Sequence, residues 1–250
     1  MSRDQDVDRL ASLLANSARI VVLTGAGMST ESGIPDFRSE GGVWEDEDLL
    51  AAMSDGYLRR RPEDFWPKFK ATFLNQRFLT AVPNGGHQAL VQLEKMGKQV
   101  EVYTQNVDGL HQQAGSSRVM EIHGNARTAY CPRCHHEYDL DYVLEHPVPR
   151  CSWETQKGGV CDTILHPDTV LFGQAVRYLN ECIDELGRTD LFLILGTSLT
   201  VDPVASLPMY KPRGCPLVII NLDETRFDSM ADLRIHEKIG DVLPLAVSRL

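Results

Sequence analysis

Residues 19–38 read RIVVLTGAGMSTESGIPDFR, and the fold prediction begins from this stretch. Its first six residues, Arg19–Thr24, form an apolar, β-branched run with the length of a buried strand. The run ends in Gly25-Ala26-Gly27, where glycines permit a tight turn and let backbone N–H groups approach a pyrophosphate. A strand that leads into glycines and then into a polar segment is typical of the start of a nucleotide-binding domain.

Taken alone, the glycine turn is a weak signal. Thr30 stands where the usual dinucleotide fingerprint has its third glycine, and no acidic residue closes a second strand about 20 residues later. A turn without any ligand is an equal alternative. The continuation is more specific, because Arg38 offers a cation for phosphate and Phe37 a ring that can stack on a planar group. The alternative for this continuation is a surface turn with one core phenylalanine.

Similar apolar runs recur along the chain at residues 99–104, 119–122, 191–195 and 217–220. The runs at 191–195 and 217–220 are continuously apolar rather than alternating, which indicates strands covered on both faces. Helical segments are expected between them, near residues 87–96, 175–186 and 242–250. The order of strands and helices therefore predicts an α/β fold with a Rossmann-like, doubly wound parallel sheet.

The segment from 40 to 82 interrupts this alternation and is polar and aromatic. Pro62 is well placed as a first helical residue, and the aromatic residues that follow it have helical spacing. They are Phe65, Trp66, Phe69 and Phe73. We therefore expect a partly helical module here, distinct from the sheet.

Polar side chains follow the predicted strand at 99–104, in the sequence TQNVDGLH. Open α/β sheets bind ligands at the carboxyl ends of their strands. Gln105, Asn106 and Asp108 offer two amides and a carboxylate to ribose hydroxyls and a carboxamide, although such residues are also common in turns. His123 follows the next strand and can serve as a general base near neutral pH, while a lone histidine is more often structural.

Three further polar groups lie at strand ends or helix starts on the same predicted edge. Thr197 and Ser198 follow the strand at 191–195, Asn221 follows the strand at 217–220, and Asp241 precedes the last helix. Each is ordinary turn chemistry by itself. Together they would complete a site for an adenosine ribose.

Four of the six cysteines fall within 31 residues: Cys131, Cys134, Cys151 and Cys161. In a cytosolic chain such a cluster indicates a metal before a disulfide, and four thiolates suit a tetrahedral structural zinc. The nine residues between the second pair exceed the usual spacing, so His135, His136 and His146 remain alternative ligands. Cys182 and Cys215 stand alone and are expected to be small buried residues.

Composition and charge narrow the function class. The formal net charge of −10 argues against direct nucleic-acid binding and is compatible with a lysine-rich peptide, or simply with solubility. No apolar run approaches the length of a membrane span, and the N-terminus is too acidic for a signal or transit peptide. We therefore expect a cytoplasmic protein without a membrane partner.

The motifs taken together resemble those of the sirtuins, the family of NAD-dependent protein-lysine deacylases. The resemblance runs from about residue 19 to residue 242 and is carried by motifs in the family's order. These are GAGMSTESGIPDFRS, TQNVDGLH, the His123-Gly124 pair, the four cysteines, Leu171-Phe172-Gly173, GTSLTVDP and NLDET. Their length and number make the resemblance specific.

The resemblance implies a fold and a set of cofactor contacts. It implies a Rossmann-like NAD-binding domain at 1–40, 86–125 and 171–250, a helical module at 41–85, and a small inserted zinc-binding module at 126–170. NAD would be held through its phosphates, riboses and nicotinamide. The implied contacts are Ala26, Thr30, Phe37, Arg38, Gln105, Asn106, Val107, Asp108, Thr197, Ser198, Asn221 and Asp241.

The resemblance also implies the reaction, a deacetylation that consumes NAD as a co-substrate. The acyl oxygen of acetyl-lysine would displace nicotinamide from the ribose, with Asn106 holding ribose and water. His123 would then act as general base on a ribose hydroxyl, so that O-acetyl-ADP-ribose and free lysine are formed. The acetyl-lysine peptide would enter as an added strand between 171–173 and 200–203. The zinc bound by the four cysteines would be structural.

Some features depart from the family pattern or leave rivals open. Relatives that remove acidic acyl groups carry a Tyr-x-x-Arg pair where this chain has Phe69 and Thr72. These two residues would line an acyl tunnel without an arginine, so an uncharged acyl group is expected. The alternative is that Phe69 is simply a core residue. Asp202 is a carboxylate where relatives often carry a neutral residue, which favours basic peptides. The rivals are a sirtuin-like ADP-ribosyl transferase, a non-catalytic NAD sensor, and an ordinary NAD dehydrogenase, which the missing third glycine disfavours.

Overall fold

A computed structural model describes residues 3–36, 46–156 and 158–250, so Phe37 and Arg38 lie outside the described residues. Its larger sheet has six parallel strands in the order β3-β2-β1-β7-β8-β9. The strands are β1 (Arg19–Thr24), β2 (Gln99–Thr104), β3 (Val119–Glu121), β7 (Leu191–Leu195), β8 (Leu217–Ile220) and β9 (Leu233–Ile235). Sequence order reverses beside β1, which makes the sheet doubly wound and places a crevice at its carboxyl edge.

Helices cover both faces of this sheet. They are α1 (Arg3–Ala15), α6 (Gly85–Lys95), α7 (Leu110–Ala114), α9 (Leu179–Leu186) and α10 (Ile239–Val247). One apolar cluster joins α1, α6 and α10 to one face, and a second joins α9 and the 3-10 helix Val204–Tyr210 to the other. The five residues of β7 are all buried, as expected for a central strand covered on both sides.

Four short helices follow the glycine turn: α2 (Glu47–Ala52), α3 (Asp55–Arg60), α4 (Pro62–Phe73) and α5 (Gln76–Thr80). Pro62 is the first residue of α4, where a missing backbone N–H costs nothing. Phe65, Trp66 and Phe69 are fully buried and pack ring against ring at centroid distances of 5.5 to 5.7 Å. The aromatic stripe therefore forms the core of this helical region.

A second, three-stranded antiparallel sheet lies between β3 and α9 in the sequence. It has the order β5-β4-β6, from β4 (Gly124–Tyr130), β5 (Glu137–Tyr138) and β6 (His166–Thr169), with α8 (Leu140–Glu145) beside it. Its apolar residues share one cluster with the aromatic residues of α4. The cysteine segment therefore packs against the helical region rather than against the large sheet.

The structure confirms the parallel sheet and the order of helices and differs in detail. The last helix begins at Ile239, so Asp241 is in its first turn instead of preceding it. The edge strand β9 was not predicted, because three residues are too few to show a periodicity. Within the described part of the chain, no helix has the length and apolar character needed to cross a membrane.

Candidate functional site

A cleft of about 800 Å³ opens at the carboxyl ends of β1, β2, β7 and β8. One wall is the polar edge of the large sheet, including the glycine turn after β1 and the residues that follow β2. The opposite wall comes from Met53 and Phe73 of the helical region and from residues 169–174, which follow β6. The cleft has the size of a binding site for a small-molecule ligand and lies where doubly wound sheets place one.

Close backbone packing explains the glycines at the sheet edge. The turn after β1 touches the turn after β7, and the Gly27 N–H donates to the Gly196 carbonyl at 2.8 Å. A Cβ atom on Gly196 would lie 2.3 Å from the backbone nitrogen of Met28, and this residue has a φ of 64°. The two turns can meet only because these residues lack side chains.

Asn106 and Asp108 are held in fixed positions behind the turn. The Asn106 side-chain amide donates to the Gly25 carbonyl at 3.0 Å and to the Ser29 hydroxyl at 3.1 Å. Ser29 in turn donates to the Asp108 carboxylate at 2.6 Å, and the Leu110 N–H donates to its other oxygen at 2.9 Å. Burial raises the pKa of Asp108, and these hydrogen bonds oppose that rise by stabilising the carboxylate.

His123 lines the cleft just beyond β3, and its ring orientation is fixed. Its Nδ1 lies 3.0 Å from the Gln105 carbonyl oxygen, which can only accept, so Nδ1 carries the proton and Nε2 keeps its lone pair. Burial lowers the pKa of His123, with the Gln105 hydrogen bond acting weakly in the opposite sense. The ring is therefore neutral near pH 7 and can accept a proton at Nε2.

Two further histidines are buried beside the site and are structural. His87 accepts the Asn84 N–H at 3.3 Å in the capping box of α6, and His111 Nε2 lies 3.0 Å from the Thr24 hydroxyl. Burial lowers the pKa of His87 to about 4 and that of His111 to about 3. Both rings are neutral and make no contact with the cleft.

The structure brings most of the sequence-predicted cofactor residues into this one cleft. Those that line it are Ala26, Thr30, Gln105, Asn106, Val107, His123, Thr197, Ser198 and Asn221. Asp108 lies just behind the wall with 4% of its surface exposed. Asp241 is exposed and does not line the cleft, because Lys238 and Ile239 at the start of α10 occupy that part of the wall. Phe37 and Arg38 lie outside the described residues.

The helical wall differs from the sequence prediction. Phe69 was expected to line the acyl tunnel together with Thr72, but it is fully buried in the aromatic stack. Thr72 donates to the Lys68 carbonyl at 2.9 Å and lines a separate, smaller cavity. Phe73, next along α4, lines the cleft instead. The spacing of the apolar residues identified the buried face of α4, but it did not identify the turn of the helix that reaches the cleft.

Sequence reasoning also missed Ser29 as a partner of Asn106 and Asp108. It was passed over as part of the glycine turn, although a hydroxyl two residues after Gly27 can reach both side chains. Met53 and Val176 of the cleft wall carried no motif and could not have been found from their spacing.

Two loop segments face each other across the cleft. On one side, the Phe172 N–H donates to the Met53 carbonyl and its own carbonyl accepts from the Asp55 N–H, both between 3.0 and 3.2 Å. Phe172 thus directs its main-chain groups toward the helical region. Its neighbour Leu171 is bonded to Gln174 in a tight turn, with its N–H donating to the Gln174 side chain at 2.9 Å and its carbonyl accepting from the Gln174 N–H at 3.0 Å. Residues 200–203 line the cleft on the opposite side.

The four predicted cysteines converge beside the small sheet. Their Sγ atoms all lie within 4.8 Å of one another, with Cys131–Cys161 at 3.7 Å and Cys134–Cys151 at 3.4 Å. A tetrahedral zinc with Zn–S bonds of about 2.3 Å requires sulfur separations near 3.8 Å, so the donor set fits that ion. Four thiolates would leave no open position for a substrate.

A hairpin explains the long gap between the last two cysteines. The Cys161 N–H donates to the Trp153 carbonyl at 2.9 Å, and Glu154 pairs with Val160 as an antiparallel bridge. The intervening residues leave the cluster and return to it. His136 stacks on Trp153 instead, and His146 Nδ1 lies 2.8 Å from the Tyr142 carbonyl, so neither histidine joins the sulfur cluster.

Comparison with known proteins gives consistent results. The model of the Sir2 family matches residues 25–203. An NAD-dependent protein deacetylase of Bacillus subtilis (strain 168) is 49% identical over 238 residues, which are 94% of this chain and 96% of the relative. NAD-dependent protein deacetylase 2 of Geobacillus kaustophilus (strain HTA426) is 45% identical over 238 residues, which are 94% of each chain.

Solved Sir2 structures resemble the whole chain. One, a Sir2 variant with a deacetylated p53 peptide and 3′-O-acetyl-ADP-ribose, superposes with a TM-score of 0.86 at 35% identity. It covers 96% of this chain and 97% of its own. Another, Sir2 with a p53 peptide and NAD⁺, has a TM-score of 0.83 at 35% identity and covers 97% and 98%.

Proposed function

The chain belongs to the Sir2 family, and on that premise we propose that it is an NAD-dependent protein-lysine deacetylase. It transfers the acetyl group of acetyl-lysine to ADP-ribose and releases nicotinamide and O-acetyl-ADP-ribose. The observation that carries the proposal is the cleft, which brings His123, Asn106 and the turn after β1 together at one sheet edge. A pure NAD-binding protein has no need of a proton acceptor at that place.

The residues present at the sheet edge fit NAD. The turn after β1 suits a pyrophosphate, which needs backbone N–H groups and no side chain in its way. We assign the phosphates and their ribose to Ala26 and Thr30, with Phe37 and Arg38 nearby in sequence. Asn106, Val107 and Asp108 receive the nicotinamide end, and Gln105 a ribose. The adenosine end is assigned to Thr197, Ser198, Asn221 and Asp241, of which the first three line the cleft.

When bound, NAD would supply the ribose carbon that the acyl oxygen attacks, the nicotinamide that leaves, and the ribose hydroxyl that finally carries the acetyl group, with one water consumed to free the lysine. The chain's own residues do the rest. His123 accepts a proton at Nε2, because its Nδ1 is fixed by the Gln105 carbonyl and its ring is neutral. Asn106 orients polar groups in front of that ring, since its amide is held by Gly25 and Ser29.

Acetyl-lysine peptides fit as an added strand between 171–173 and 200–203. Phe172 is paired with Met53 and Asp55, and Leu171 is paired with Gln174, so an added peptide strand would pair at Gly173 or replace the Gln174 contacts. Such pairing reads the backbone and leaves the lysine free to enter the cleft. The relatives seen with p53 peptides support a peptide partner. The net charge of −10 supports the absence of direct nucleic-acid and membrane partners.

The remaining assignments concern the modules and the metal. We assign one structural zinc to Cys131, Cys134, Cys151 and Cys161. The NAD-binding domain is taken as 1–40, 86–125 and 171–250, the helical module as 41–85 and the zinc-binding module as 126–170. A cytoplasmic location is supported by the clustering of four cysteines in a geometry suited to a metal, which is the usual role of such a cluster in a cytosolic protein.

The test is incubation of the protein with one lysine peptide carrying acetyl, succinyl or a long-chain acyl group, with and without NAD⁺, followed by mass spectrometry. The expected result is loss of the acetyl group only when NAD⁺ is present. Gain of ADP-ribose on protein or peptide without deacetylation would assign the chain to ADP-ribosyl transfer instead. NAD⁺ binding without any change in mass would assign it to sensing.

A further inference from the structure

The side chain of Arg127, on β4, is hydrogen-bonded to the loop that follows β2. Its Nε donates to the Asp108 carbonyl at 2.9 Å. The next contact along β4 is a main-chain one, from the Ala126 N–H to the Val107 carbonyl at 3.1 Å. β4 thus holds both Val107 and Asp108. It holds Val107 through the backbone of Ala126 and Asp108 through the side chain of Arg127. Arg127 itself is half-buried.

Neighbouring residues leave the guanidinium little freedom. A Cβ on Gly109 would lie 3.5 Å from Arg127 Nε, so the arginine packs directly against the turn in which Gly109 has a φ of 74°. The guanidinium carbon stands 5.7 Å from the centre of the Phe78 ring of α5. Contacts to a loop, a glycine turn and an aromatic ring specify a planar, charged side chain at this position.

Charge is the second contribution of Arg127. Asp108 is 4% exposed, and a buried carboxylate is costly unless donors or a cation compensate it. Ser29 and Leu110 supply the donors, and Arg127 is the cation whose charge favours the ionised form. Without Arg127, Asp108 would keep two hydrogen bonds and lose its compensating charge.

We propose that Arg127 is a positioning residue for the nicotinamide end of the cleft, acting through the main chain and the carboxylate of Asp108. The inference rests on the proposed function, because it takes Asp108 as the residue that receives the nicotinamide carboxamide. Arg127 does not line the cleft and touches no substrate. Its effect is therefore specific to ligands that carry nicotinamide.

The choice of ligand distinguishes a residue that positions the nicotinamide end of the cleft from one that only stabilises the fold. ADP-ribose has the phosphates and both riboses of NAD⁺ and lacks nicotinamide. Disturbing the Asp108 loop should weaken NAD⁺ and free nicotinamide and leave ADP-ribose unaffected. Unfolding or loosening of the whole cleft would weaken all three ligands together.

The experiment measures the dissociation constants of NAD⁺ and ADP-ribose by calorimetry for the wild type, Arg127→Gln and Arg127→Lys. Arg188→Gln is the matched control, since Arg188 is an exposed arginine at the end of α9. In Arg127→Gln, NAD⁺ binding should weaken by about tenfold, as for loss of one hydrogen bond to a charged group, with ADP-ribose unchanged. Arg127→Lys keeps the charge without the fixed Nε and should fall between glutamine and wild type.

Equal weakening of NAD⁺ and ADP-ribose in Arg127→Gln, or no weakening of either, would overturn the proposal. The proposal would also be overturned if Arg127→Lys bound NAD⁺ less tightly than Arg127→Gln. Wild-type deacetylation of an acetyl-lysine peptide is measured alongside, together with its inhibition by nicotinamide. A wild type that binds NAD⁺ but does not deacetylate refutes the proposed function and leaves the binding test of Arg127 valid.

Discussion

The two walls of the cleft are built in different ways. At the sheet edge, Asn106, Ser29 and Asp108 hold one another through hydrogen bonds of 2.6 to 3.1 Å in a buried network. The helical wall presents the apolar side chains of Met53 and Phe73. A polar network accepts one geometry, whereas apolar packing tolerates changes of volume. We therefore expect chemistry to depend on the sheet edge and acyl selectivity to depend on the helical wall.

The largest effect is expected from loss of zinc, because the small sheet and the helical region share one apolar core. Removing the metal leaves four thiols without a ligand, three of them in that core, and should unfold the module, abolishing activity. Metal content is measured together with the melting temperature after chelation. Cys161→Ser should lower the metal content.

The matched controls are Cys182→Ser and Cys215→Ser, whose thiols lie outside the cluster and should leave metal content unchanged. Full zinc stoichiometry in Cys161→Ser would mean that another residue completes the site. A melting temperature unaffected by chelation would show that the small sheet folds without metal.

Next in size is the loss of the proton acceptor at the sheet edge. His123→Ala should lower kcat by about 10²–10⁴, the usual cost of removing a general base. NAD⁺ binding should persist, because the turn after β1 is held by Gly196 and not by His123. Steady-state rates and calorimetric binding of NAD⁺ are compared for the variant and the wild type. Turnover near the wild-type rate would remove His123 from the mechanism.

A smaller effect is expected at the helical wall, on acyl selectivity. A succinyl group would carry a carboxylate to Met53, Phe73 and Leu171, and a buried unpaired carboxylate is costly. Lys238, beside the adenosine end, is the one cation among the cleft-lining residues that the structure describes. The value of kcat/KM should be at least about a hundredfold lower for succinyl-lysine than for acetyl-lysine in the same peptide.

Comparable turnover of the two peptides would contradict this description of the helical wall. Replacing Phe73 by leucine, which keeps the wall apolar, should not admit succinyl-lysine. If it did, volume rather than charge would exclude the acid.

The smallest effect concerns peptide flanks. Asp202 accepts from the Ser206 hydroxyl at 2.6 Å and pairs with Arg226 at 3.2 Å, and both ionic partners are about half exposed. Exposed pairs contribute little, so Asp202→Asn should change the ratio of kcat/KM for lysine-flanked and glutamate-flanked peptides by only about threefold. The direction is toward weaker preference for lysine. A reversal of that ratio would show that Arg226, and not Asp202, determines the preference for the residues that flank the acetyl-lysine.

The sheet edge could be predicted from the sequence, and the helical wall could not. A central strand such as β7 carries a continuous apolar run, and the ligand edge follows from where the predicted strands end, which places Asn106 and His123 at that edge. The helical wall depends on how α4 lies against the small sheet, which no local pattern encodes. Spacing therefore indicated Phe69 where the structure places Phe73.

The hydrogen-bond partners of Asp108 could not be predicted from the sequence either. Its partners Ser29 and Arg127 are 79 and 19 residues away in the sequence. Only the folded sheet brings them to one carboxylate and its carbonyl. Asp241 failed as a lining residue for a related reason, since a helix that begins at Ile239 turns that side chain outward.

The central claim is that NAD⁺ is consumed as a co-substrate at this sheet edge. The most direct test quantifies three products from one acetyl-lysine peptide during the initial phase of the reaction: deacetylated peptide, nicotinamide and O-acetyl-ADP-ribose. The predicted result is that the wild type forms all three products in equal molar amounts. His123→Ala should turn over the peptide far more slowly than the wild type. Deacetylated peptide accompanied by free acetate, with NAD⁺ unchanged, would contradict the account.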